Sequence, residues 1–167
     1  DAEVRALAAT QRAHVSEVPV HLRIPSVGLD APVQPATARK VWMAAQQYEQ
    51  WTAPDEFAAG WHADSARLGE PGNTVLNGHH NVSGKVFERL VDVAVGERIV
   101  VVGDKGGEFT YLVVNKMILP EKGASPEERL ENARWIMPST DERLTLVTCW
   151  PADSNTHRLI LVASPLN

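Results

Sequence analysis

A chain of 167 residues with 44% hydrophobic side chains can close one core, so a single domain is expected. A net charge of −5 and the absence of a long Lys/Arg run argue against nucleic-acid binding, which needs a broad positive field. The single cysteine rules out an intrachain disulfide, and no apolar run approaches the ~18 residues of a membrane span or has the form of a signal peptide.

The chain starts at Asp1 without a methionine, and an upstream leader or anchor is expected to precede it. Residues 1–14, DAEVRALAATQRAH, place Val4, Leu7 and Ala8 at helical spacing and predict a short N-terminal helix, bounded as a segment 1–17 ahead of a domain 18–167. From Val18, VPVHLRIPSVGLDAPVQP carries Pro19, Pro25, Pro32 and Pro35 among β-branched residues, which predicts short edge strands joined by turns. The section 38–68 reads mainly as loop, with MAAQQYEQW as a helical turn. Clear strand signals follow at 73–78, 97–103, 108–119, 143–149 and 157–163, and the domain is therefore mostly β. The last two are apolar on both faces and belong at the centre of a sheet. One helix interrupts them: Ser125 as N-cap, Pro126 at the first helical position and Glu128 form a capping box ahead of ERLENARWI.

Two constellations carry chemistry. The strand TLVTC ends in Cys149, and a polar connection from Trp150 to Thr156 leads to a strand that opens with His157 and Arg158. An antiparallel pair would make thiol and guanidinium neighbours. A fixed positive charge favours the nucleophilic thiolate, and the same group can stabilise an oxyanion. The plainer alternative is that Cys149 is a small buried hydrophobe. Upstream, NTVLNGHHN ends a strand in Asn77, Gly78, His79 and His80, where a glycine lets the chain turn and presents a histidine for proton exchange. That doublet also reads as a surface pair, or as zinc ligands with His62 or His157, although adjacent histidines on an extended chain point apart and the spacing matches no recurring ligand pattern. No spaced run of oxygen ligands is seen, so no calcium site and no other metal or cofactor is predicted.

Together these motifs resemble the sortases, the cysteine transpeptidases of bacterial cell surfaces. TLVTC followed by Arg158, the upstream NTVLNGHHN, and RIPSVGLDAPV, KVFERLVDVAVGERIVVV and LILVASP in the family's order extend the resemblance over roughly residues 20–165. It implies a closed or nearly closed β-barrel of about eight strands with short helices. It also implies Cys149 as nucleophile, His79 as general acid/base and Arg158 as the group that holds and polarises the substrate. Thr148, Asn77, His80 and Trp150 would lie in the substrate groove, whose walls are expected from 120–142 and 150–157. The implied reaction cleaves a Leu-Pro-X-Thr-Gly-like sorting signal of a secreted protein and joins the new carboxyl to an amine of a peptidoglycan precursor or a pilin. The enzyme would work at the outer face of the bacterial membrane, tethered by a missing anchor, with residues 1–17 as the linker. Two alternatives stay open: a cysteine hydrolase using the same groups, and a secreted β-domain without activity.

Overall fold

The computed structural model describes residues 16–43, 45–151 and 153–166; the expected N-terminal helix lies outside them. The described residues form nine strands, β1 (Pro19–Ile24), β2 (Leu29–Met43), β3 (Gln46–Thr52), β4 (Ala59–His62), β5 (Asn73–Asn77), β6 (Arg98–Gly103), β7 (Glu108–Pro120), β8 (Arg143–Trp150) and β9 (His157–Pro165). Among the described residues one α-helix, α1 (Pro126–Ala133), lies between β7 and β8. The strand order is β1-β6-β7-β9-β8-β5-β4-β2-β3, and β1 also pairs with β2, which closes eight strands into a ring and leaves β3 as an appendage. Most neighbours are antiparallel, but β5 runs parallel to β8 and β2 parallel to β4.

The proline-rich start does not make edge strands. β1 sits between β2 and β6. Its prolines are tolerated where the ladder allows them: Pro19 is the first residue of β1, and Pro25 opens a one-turn 3-10 helix. β2 changes partner along its length, pairing with β1 through Pro32, with β4 from Val33 to Ala36, and with β3 from Thr37 to Met43. Pro32 thus falls at the first handover. The stretch expected as loop and helical turn is instead the hairpin β2–β3, with Met43 opposite Gln46 and Arg39 donating to Gln50 across the ladder at 3.0 Å. Its Ala- and Gln-rich sequence has little strand propensity, and cross-strand pairing overrides that preference.

Alternate residues of the ring strands fill its interior. Leu22 and Ile24 of β1, Ile99 and Val101 of β6, Leu144 and Leu146 of β8, and Leu159 and Leu161 of β9 are all fully buried. Glu17 closes one end: its carboxylate accepts from Lys105 N at 2.8 Å and Gly107 N at 3.0 Å, so the buried charge is hydrogen-bonded. The interior is therefore occupied by apolar side chains, and chemistry is left to the outer face.

Candidate active site

The ladder between β8 and β9 places Cys149 directly opposite Arg158. Arg158 Nη1 donates to Cys149 Sγ at 3.3 Å, and its other terminal nitrogen lies 3.9 Å from a carboxylate oxygen of Glu121. The thiol is neither walled into the core nor fully open; Cys149 is half-buried.

On the other side of β8, the parallel partner β5 ends at Asn77, level with Val147. Gly78 follows. It is not among the positive-φ glycines; what it supplies is room, since a Cβ there would lie 2.6 Å from both Val86 Cγ1 and Phe87 Cδ2. Thr148 Oγ1 donates to Gly78 O at 2.8 Å and ties the end of β8 to this bend. The chain then parts the two histidines. His79 lines the cleft with its Nε2 shielded from solvent and without a hydrogen-bond partner among the described residues. His80 turns inward: it is buried, its Nδ1 lies 3.3 Å from Phe87 O, and its ring sits 5.3 Å from that of Trp150. Among the described residues no three His, Cys, Asp or Glu side chains gather as a metal site.

A cavity of about 710 Å³ runs over this surface. Its floor is Asn77, His79, Thr148, Cys149, Arg158 and Ile160. One wall is the β7–β8 connection, with Glu121, Arg129, Leu130, Ile136 and Met137, as expected from 120–142. Asn73 anchors that wall: buried in β5, it accepts from Thr145 Oγ1 at 2.7 Å and donates to Trp135 O and Met137 O at 2.9 and 3.0 Å. The opposite wall is not 150–157, none of whose described residues lines the cavity, but the β2–β3 hairpin with Val41, Gln50 and Trp51. Of the expected groove residues, Asn77 and Thr148 line the cavity, whereas His80 and Trp150 stand behind it.

Among the lining residues that the sequence did not mark for the groove, Trp51 and His62 form a pair. Trp51 stacks on His62 with ring centroids 4.2 Å apart and planes 10° from parallel. Burial drives the His62 imidazole down to a pKa of about 4, so it is neutral at ordinary pH. A tryptophan in a segment that reads as loop, and a histidine with no motif around it, gave no signal for this pairing.

The Sortase domain family matches residues 22–166. The chain belongs to the sortase family. No curated protein matches it. Among solved structures, this sortase is similar to sortase A from Corynebacterium diphtheriae, at 21% identity over 92% of this chain and 62% of that one, with a TM-score of 0.64. It is also similar to sortase C1 from Streptococcus agalactiae, at 20% identity over 89% and 67% with a TM-score of 0.66. The SrtA sortase from Actinomyces oris gives 22% identity over 90% and 80%, with a TM-score of 0.65. At such identities the structures share the fold, and the ring of eight strands is the sortase fold. A sortase is a cysteine transpeptidase, and this one has one cysteine to offer. Among the described residues, no helix is long and apolar enough to cross a membrane.

Proposed function

We propose that this sortase anchors secreted proteins through a thioester on Cys149, with His79 as general acid/base and Arg158 as the substrate-polarising cation. The observation that carries the reading is the Arg158-to-Cys149 hydrogen bond, 3.3 Å long, on the floor of a cavity that His79 also lines. A guanidinium at this distance stabilises the thiolate, and the donors that face neither Sγ nor Glu121 can meet the carbonyl oxygen as negative charge develops there.

The thiolate attacks the scissile carbonyl carbon of a Leu-Pro-X-Thr-Gly-like signal, giving a tetrahedral oxyanion. As the C–N bond breaks, protonated His79 gives its proton to the departing amine and the thioester remains. An acceptor amine, from a peptidoglycan precursor or a pilin, then attacks the thioester. The now neutral His79 takes its proton, the thiolate departs, and one amide has replaced another with no net change in protons. Residues 18–167 form the catalytic domain in this scheme and 1–17 a linker to a membrane anchor at the outer face. His80 and Trp150, packed against each other at a tilt behind the floor, support its shape rather than touch the peptide.

Incubation with sorting-signal peptides, followed by mass spectrometry of the intact protein, should show a single acyl adduct on Cys149. Adding glycine- or diaminopimelate-type amines should divert the adduct into a new amide. If hydrolysis proceeds while added amine never enters product, the protein is a hydrolase and the proposal fails. A thiol that neither acylates nor reacts with iodoacetamide in the folded protein would make Cys149 structural.

A further inference from the structure

His62 ends β4, where Ala59 and Trp61 face the core and Gly60 and His62 take the other side. Gly60 pairs with Asn77, and a Cβ at Gly60 would collide with Asn77 Oδ1, so the glycine leaves the space that the amide oxygen occupies. Both Asn77 Oδ1 and His62 Nε2 are sealed from solvent with no hydrogen-bond partner among the described residues, and both residues line the cavity that contains Cys149. A buried polar atom left unpaired costs free energy, and two of them on one wall of a substrate cavity call for a ligand that pairs them. Their places on β4 suggest that ligand. Asn77 Oδ1 lies over Gly60, and His62 stands two residues further along the same strand, a backbone offset of about 6.6 Å, which is the period at which an extended peptide repeats its main-chain polar groups on one side.

We propose that His62 is a substrate-binding residue, its Nε2 hydrogen-bonding the main chain of the extended sorting peptide upstream of the scissile bond while Asn77 Oδ1 takes the peptide group nearer the thiol. The inference rests on Cys149 being the nucleophile. The ladders locate the contact: continuing the β4–β5 register by one residue sets His62 beside Val75, which pairs with Thr145 in the strand of Cys149. Two strand spacings across and four residues along put the backbone of His62 on the order of 15 Å from that of Cys149, about four to five extended residues. The acyl side of the peptide stays bound through both half-reactions, whereas the leaving side departs after the first, so the acyl side is the one assigned to the wall that carries the two unpaired polar atoms. Trp51, flat against the imidazole, holds the plane of the ring.

The test compares the chain with His62→Phe, which keeps a flat ring on Trp51, and His62→Gln, whose amide nitrogen sits where Nε2 was. For a full-length sorting peptide, KM should rise about tenfold in His62→Phe with kcat within about threefold, and His62→Gln should recover most of the loss. The rate of Cys149 alkylation by iodoacetamide should match in all three. Shortening the peptide by its upstream residues should raise KM about tenfold for the parent chain and leave that of His62→Phe unaltered. A KM in His62→Phe equal to the parent's, or a truncation that costs both proteins alike, overturns the assignment. Equal impairment of both variants with slowed alkylation makes His62 a packing residue and also overturns it. Should the parent chain form no acyl adduct with any sorting peptide, the transpeptidase reading fails first and this one falls with it.

Discussion

The two halves of the cavity are built on different principles. The floor is the β8–β9 ladder with β5 beside it: fully paired strands backed by Leu144, Leu146, Leu159 and Leu161, all without solvent exposure. The walls are the β2–β3 hairpin, which pairs only along β2, and α1, which buries none of its residues and leaves Leu130 50% exposed. A side chain on the floor inherits its position from ladder register, so Cys149 and Arg158 meet without a loop having to be positioned. A side chain on the walls is placed by a few local contacts. On the proposed function, rigid geometry serves the bond-making groups and adjustable geometry the surfaces that would meet a peptide.

The sharpest break should come on the floor. Cys149→Ala is expected to abolish the acyl adduct while leaving the circular dichroism spectrum intact. His79→Ala and Arg158→Ala should each lower kcat/KM by about 10²–10³-fold, and His80→Ala should act on stability instead. If His80→Ala proves the crippling change and His79→Ala the mild one, the roles within the doublet are reversed. Stability separates the regions too. Leu146→Ala, in the strand of the thiol, should cost about 2–5 kcal/mol in denaturant unfolding, whereas Leu130→Ala on the wall should stay within about 0.5 kcal/mol and show itself in KM.

Acid supplies the next test. In the unfolded chain His62 takes a proton near its ordinary 6.5, and in the folded chain burial delays this to about 4. The unfolded state therefore binds more protons between these values, so the His62 contribution is complete above pH 6.5, declines as pH falls and is spent below about 4. The loss is on the order of 3 kcal/mol, and His62→Phe should flatten that part of the stability profile. A smaller effect is expected at the anchor of the helical wall. Asn73→Ala strips hydrogen bonds from Trp135 O, Met137 O and Thr145 Oγ1 and should cost about 1–3 kcal/mol. The smallest is expected at Ser125, whose Oγ accepts from Glu128 N at 3.1 Å; Ser125→Ala should cost about 1 kcal/mol at most, because α1 is exposed.

How far the sequence could be read follows the same division. Strands β5 to β9 announce themselves by β-branched and aliphatic runs, and the spacing between Cys149 and Arg158 already implies that they are neighbours across a hairpin. The cap at Ser125 is legible because capping is local. The β2–β3 hairpin is not, since Ala, Gln and Glu acquire strand geometry there only from the partner strand. Nor is the parting of His79 from His80, which depends on Phe87 and Trp150 arriving from elsewhere in the chain. The role of Gly78 was readable as a need for glycine but not as its cause, which is the proximity of Val86 and Phe87. Trp51 and His62 needed the fold entirely: their strands reach each other only through β2.

The parallel pairing of β5 with β8 joins Asn77 to Val147, about seventy positions apart along the polypeptide, and β9 must still dock before Arg158 arrives. Contacts of such long range form late, after the local hairpins have collapsed. During refolding, the iodoacetamide reactivity typical of the native thiol should therefore appear only in the slowest kinetic phase, so a partly folded chain carries a sulfur that still lacks its guanidinium neighbour.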